Sequence, residues 1–268
     1  MKLAGSLKEE ENRRHKTNNK EAKHMRAVGS ALIFIFIFFF CYSISYAYAP
    51  FGRALCKAPG FACVKVPKRN TWETLFPDAN QRMLVMTLNR MNTPVYSGML
   101  IAVPTNLTSS ASLMDFSPFP GQISPLTKKT VFVDPAVLAW GAYDTNGRLV
   151  RWGPASLGSD WCHDLGHRCH SPVGSFAVYQ KGSYSCRSTK FPLPHGGAPM
   201  PYCMYFHGGF ALHGEPGGLP GDNVSHGCVR LLVGDAEWLS KQFVDVGTAV
   251  IVGPYGKFTN PQTSHFVK

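Results

Sequence analysis

The sequence predicts a mainly β protein, a sandwich or barrel carrying one short helix and preceded by a small β-α-α-β unit. Two observations predict it. The chain of 268 residues holds 26 Gly and 20 Pro with 12% aromatics, a composition that favours short strands and frequent turns over long helices. Apolar β-rich runs then recur between Gly/Pro turns along the second half: Thr130-Val131-Phe132-Val133, Leu149-Val150-Arg151-Trp152, Gly174 to Tyr179 and Thr248 to Val252.

Five segments follow from the pattern. Residues 1–49 comprise a basic stretch (Lys20, Lys23, Arg26), an apolar run from Ala27 to about Phe40, and small residues at Ser45-Tyr46-Ala47-Tyr48-Ala49. That is the layout of a secretory signal, with Ala47 the better cleavage point because Pro50 follows Ala49, and with Met25 as an alternative start. The other reading is an uncleaved anchor, since Ala27 to Ala49 can just span a bilayer. Both readings place the remainder outside the cytoplasm, in the periplasm or cell envelope, and limit membrane contact to this segment.

Residues 61–104 form the small unit. Val64-Lys65-Val66 reads as a strand, and Thr71 caps a helix through Phe76. Met83, Val85, Met86 and Leu88 fall at helical spacing in a second helix ending near Asn89, and Leu100 to Val103 form a strand stopped by Pro104. Residues 105–129 are rich in Ser, Pro and Thr and read as a linker. Residues 130–253 are the larger domain, with its helix at Asp235 to Phe243, and residues 254–268 read as a polar tail.

Hydrophobic residues at 44% against 16% charged give a globular composition and exclude a disordered chain. The net charge is +11, but residues 1–47 hold eight Lys/Arg and four Asp/Glu, leaving 19 basic and 12 acidic residues, or +7, for the rest. A modestly basic body suits an anionic partner such as a cell-wall polymer. It lacks a dense Lys/Arg stripe interleaved with aromatics, so nucleic acid is not the expected partner.

Eight cysteines are present, and Cys41 lies in the N-terminal segment. Of the seven others, six pair by proximity as Cys56–Cys63, Cys162–Cys169 and Cys186–Cys203, one choice among about 15 connectivities. The odd one is Cys228, and a thiol left unpaired in an oxidising compartment points to chemistry.

A thiol attacks as thiolate and needs a base or a positive field beside it. Histidine, with a pKa close to neutral, is the natural partner. His226 precedes Cys228 by two residues, and His213 can meet it across the Gly/Pro loop 214–223. Gly227 lets the backbone turn tightly and leaves amides open to an oxyanion. Arg230, two residues after Cys228, lies on the same side of an extended segment and can clamp a substrate carboxylate or lower the thiol pKa. The cluster Cys162-His163-Asp164 to His170 carries metal-ligand types, but an exported cysteine pair with six residues between is read as a disulfide, and no metal is expected.

His213-Gly214 followed by Ser225-His226-Gly227-Cys228-Val229-Arg230 resembles the signature of the L,D-transpeptidase family of bacterial cell-wall enzymes. Ser171-Pro172-Val173-Gly174-Ser175-Phe176, Met200-Pro201-Tyr202 and Phe206 to Leu212 resemble further family stretches, so the likeness covers most of residues 130–252. It implies an L,D-transpeptidase-like fold and no cofactor. Cys228 would attack the bond between the L-centre of diaminopimelate and D-alanine in a peptidoglycan stem tetrapeptide. His213 would be the base, oriented by the Gly214 carbonyl, with the amides of Gly227 and Cys228 holding the oxyanion. His226, Arg230, Ser225, Tyr202 and His207 would contact substrate. An amine acceptor on a second stem or a protein would resolve the thioester; water would make a carboxypeptidase instead, and a vestigial site would leave a wall-binding protein. Arg230 departs from the Asn often found there. Residues 61–104 resemble a LysM-type carbohydrate-binding module through Trp72 to Leu75, Leu88 to Asn92 and Ser97 to Pro104, with Arg69-Asn70-Thr71-Trp72 in place of the usual Gly-Asp-Thr opening.

Overall fold

The structure, a computed structural model, describes residues 51–256. The signal or anchor expected over 1–49 and most of the expected tail lie outside the described residues. Among the described residues no helix is long and apolar enough to cross a membrane.

The N-terminal part runs α1 (Phe51–Leu55), β1 (Phe61–Lys65), α2 (Trp72–Leu75), α3 (Ala79–Leu88) and β2 (Leu100–Pro104). β1 and β2 pair antiparallel from Phe61↔Pro104 to Lys65↔Leu100. The Cys56–Cys63 disulfide ties α1 to β1. Thr71 caps α2 in a reciprocal box with Thr74, satisfying end amides that the helix leaves open. The Asp78 side chain accepts from the Gln81 amide at 2.8 Å, and so α3 starts well before the Met83 of the sequence reading. Met83 is in fact exposed; Leu84, Val85 and Leu88 form the buried face.

This unit is welded to the larger domain. Arg90 is buried, its Nε donates to the Val137 carbonyl at 2.9 Å, and its guanidinium lies 4.7 and 4.9 Å from the ring centres of Phe51 and Trp152. Burial pulls its pKa down to about 9, which still leaves it charged near neutrality. The buried Asn89 side chain bonds both the N–H and the carbonyl of Ala102.

Residues 105–129 do not behave as the linker expected from their Ser/Pro/Thr content. Leu107, Phe116, Phe119 and Ile123 pack into one apolar cluster with Leu138, Tyr143 and Trp152. Trp152 Nε1 donates to the Leu113 carbonyl at 2.9 Å, and Tyr143 Oη to the Pro120 carbonyl at 2.5 Å. Scattered apolar side chains, diluted by polar neighbours, decide the packing here.

The larger domain holds β3 (Thr130–Asp134), β4 (Ala139–Tyr143), β5 (Leu149–Ser156), β6 (Gly174–Ala177), β7 (Gln180–Lys181), β8 (Met204–His207), β9 (Phe210–Gly214), β10 (Val229–Leu231), α4 (Val233–Trp238) and β11 (Ala249–Val252). One nine-stranded sheet runs β6-β11-β3-β4-β5-β10-β9-β8-β7. Its two ends, β6 and β7, are consecutive pieces of residues 174–181. Val178 N–H bonds back to Thr248 while Tyr179 N–H bonds to Tyr205. The sheet therefore curls, with residues 174–181 contributing to both of its ends. Inside lie Val131, Trp140, Leu157, Met204, Leu212 and Val250. The helix begins at Val233, two residues ahead of the expected Asp235, and continues as a π-helical turn over Leu239–Phe243. Ala236, Leu239 and Phe243 on it plug the same core.

Candidate active site

Two neighbouring strands bring the expected nucleophile and base together. β9 and β10 pair in parallel, with Val229 opposite Leu212 and Arg230 opposite His213. Cys228 directly precedes β10, so it falls beside Ala211 on the side that Arg230 and His213 share. His213, Cys228 and Arg230 all line one cavity of about 430 Å³. Parallel strands need a long crossover, and residues 215–228 provide it.

The three disulfides are Cys56–Cys63, Cys162–Cys169 and Cys186–Cys203, as the proximity argument has them. Cys228 is the free cysteine among the described residues. It packs against the buried cluster of Met200, Cys203 and Ala211. Burial pushes its thiol up from the ordinary value, while the Ala211 backbone amide and the positive charge of Arg230 pull it back.

His213 is buried, and its Nδ1 stands 2.8 Å from the Gly214 carbonyl oxygen. A carbonyl only accepts, so Nδ1 carries the proton and Nε2 keeps its lone pair. Burial lowers its pKa to about 4, against the raising effect of the Gly214 bond; Arg230 lowers it further and Glu215 raises it. Burial thus disfavours charge on both groups, which line the same cavity.

Gly227 is required twice over. Its φ of +116° is a region that side chains avoid, and a Cβ there would lie 2.3 Å from Phe210 Cε1. Its N–H, expected to hold an oxyanion, instead donates to Ser225 Oγ at 3.0 Å. Ser225 Oγ in turn donates to the Cys228 carbonyl at 2.5 Å, so Ser225 shapes the turn from within the cavity wall. His226 also lines the cavity; its Nε2 lies 2.9 Å from Asp164 Oδ2, and its ring stacks on Phe191 at 4.2 Å. Arg230 is committed to Glu215, with Nε 3.2 Å from Oε2, so the carboxylate clamp expected of it is already occupied by an internal partner.

Tyr202 and His207 are not brought to the cavity wall. Tyr202 Oη donates to Glu237 at 2.9 Å, and the His207 ring lies tilted against Phe176 at 4.8 Å between centres. Both precede or begin turns whose other residues, Met200 and Gly208 to Phe210, do line it. Cys162, Asp164 and His226 bring ligand atoms within 4.8 Å of one another, but Cys162 is spent in a disulfide and offers no thiolate. The reading of cluster 162–170 missed Asp164 as the partner of His226. Glu215 was also missed, although its place two residues after His213 on an extended segment was a usable signal.

A family model matches this part of the chain. Residues 128–252 match YkuD, the L,D-transpeptidase catalytic domain. The YkuD match takes in every cavity residue from β8 to β10 and stops short of the β1–β2 unit, whose likeness to a LysM module it leaves without support. No curated protein matches the chain. Among solved structures the chain is similar to the L,D-transpeptidase (residues 123–326) of Xylanimonas cellulosilytica DSM 15894, with 24% identity over 65% of this chain and 79% of that one, TM-score 0.46. It is also similar to an L,D-transpeptidase from Mycobacterium smegmatis, 24% identical over 47% of this chain and 59% of that one, TM-score 0.39. A third, from Stackebrandtia nassauensis, is 20% identical over 56% and 62%, TM-score 0.38. The chain spans less than two thirds of the latter two.

Proposed function

We propose that the YkuD-matching domain is a cysteine-dependent L,D-transpeptidase acting on peptidoglycan stem peptides. The observation that carries this reading is the shared cavity into which adjacent parallel strands deliver the cysteine that is free among the described residues and a neutral, tautomer-fixed histidine. In the proposed cycle the Cys228 sulfur bonds to the carbonyl carbon of the L-centre of diaminopimelate as its proton passes to His213 Nε2. The Cys228 amide supports the oxyanion, since the Gly227 amide is held by Ser225. Collapse breaks the amide, D-alanine leaves with the proton from His213, and a thioester remains. An amine on a second stem or a protein then attacks the thioester. His213 takes the amine proton and returns it to the departing sulfur, closing the cycle.

The three disulfides support an oxidising address, and we place the protein in the periplasm or cell envelope, delivered by residues 1–49 as signal or anchor. The test is incubation of the purified protein with stem tetrapeptides and mass spectrometry of the products, comparing the parent with Cys228→Ala. Cross-linked dimers that vanish in the variant support the reading. Tripeptides alone identify a hydrolase, and no thiol-dependent product from either protein sinks both.

A further inference from the structure

We propose that Arg168 and Lys190 form the carboxylate clamp of this site and make it select donor stems whose third residue bears a free side-chain carboxylate over those bearing the carboxamide. The inference rests on the stem-peptide reading above and adds a specificity to it.

Charge in the cavity wall is lopsided. Arg168, Lys190 and Arg230 supply three fixed cations there, and Glu215 is the one carboxylate among the lining residues. Glu215 and Arg230 satisfy each other at 3.2 Å. The nearby carboxylates are also engaged: Asp164 with His226 at 2.9 Å, and Asp160 with His170 at 2.6 Å. Among the described residues neither Arg168 nor Lys190 has a carboxylate within ion-pair distance, so two positive charges face the cavity without internal compensation.

Both residues are exposed and belong to loops closed by disulfides. Arg168 sits inside the loop closed by Cys162–Cys169, and Lys190 inside the loop closed by Cys186–Cys203. Lys190 Nζ lies 5.2 Å from the Phe191 ring centre, and Phe191 stacks on His226 at 4.2 Å. His226 is itself two residues from the nucleophile. Lys190, Phe191, His226 and Cys228 thus line the same cavity, linked by a cation–ring contact and a ring stack. Arginine offers a planar fork for a carboxylate and lysine a point charge; a carboxamide matches neither and brings N–H donors against them.

The experiment measures binding first, so that it does not depend on turnover. Titration calorimetry on the full chain carrying Cys228→Ala would use two synthetic tetrapeptide stems that differ only in carboxylate or carboxamide at the third side chain. The carboxylate stem is expected to bind about tenfold more tightly. Arg168→Gln with Lys190→Gln is expected to abolish that preference, so that the two stems bind the variant equally well. Equal binding of the two stems, or a preference that survives the double variant, overturns the clamp. The same stems are then given to the protein with Cys228 intact. Preferential binding without any thiol-dependent product would keep the clamp and defeat the transpeptidase reading, so the two failures are distinguishable.

Discussion

The His213 imidazole donates from Nδ1 to the carbonyl of the next residue, Gly214, over 2.8 Å. This contact fixes the tautomer from within one strand, without an acidic third member. His213→Ala is expected to lower kcat on stem peptides by about 10² to 10⁴, with KM little changed, because the loss falls on proton transfer. Steady-state kinetics checks it; a change confined to KM would remove His213 from the chemistry.

The pH profile follows from burial. With His213 held down at about 4, the base is neutral at all higher pH and is lost only as pH falls through that value. Donor acylation, followed by single-turnover mass spectrometry, should therefore hold its rate from pH 8 down to about 5 and drop below it. An acid limb centred near 6.5 would mean an ordinary, solvated histidine.

Gly227→Ala combines a forbidden φ with a Cβ 2.3 Å from the Phe210 ring. It is expected to destabilise the fold by about 1–3 kcal/mol and to abolish turnover by moving Cys228. Thermal unfolding of the variant beside the parent, with kinetics on whatever remains folded, reads both effects.

Opening the Cys186–Cys203 loop by Cys186→Ser with Cys203→Ser should cost about 3 kcal/mol through chain entropy. Lys190 and Phe191 ride on that loop, so KM should rise more than kcat falls. An unchanged KM would show that the loop takes no part in binding.

Asn92 reaches from the N-terminal part to the crossover: Leu219 N–H donates to its Oδ1 at 2.6 Å, and Asn92 N–H returns a bond to the Leu219 carbonyl at 3.0 Å. Asn92→Ala is expected to cost about 1–2 kcal/mol, read as a lower melting temperature. A loss of kcat alongside it would show that this support also positions the two strands the crossover joins.

The residues that share the candidate cavity were legible where they stand in short local motifs. Cys228, His213 and Gly214 stand in short motifs, and the odd cysteine followed from pairing close neighbours. The commitments of Arg230 to Glu215 and of the Gly227 amide to Ser225 were not legible, since each depends on how a turn or strand face orients one group toward another. Residues 105–129 were hidden for a different reason: Phe116, Phe119 and Ile123 are too widely spaced to register as an element, and only Tyr143, Trp152 and their neighbours give them somewhere to pack. Likewise Arg90 looks like a surface charge at the end of a helix, and its burial is decided by Phe51 and Trp152, both distant in sequence.

That buried arginine has a practical corollary for anyone dissecting the chain. A fragment trimmed to residues 128–252 would strip the cover from Leu138 and Trp152 and leave the Val137 carbonyl without its donor. The stretch that matches the family model is therefore not a self-sufficient fold, and partial digestion should leave the described part uncut between its two halves.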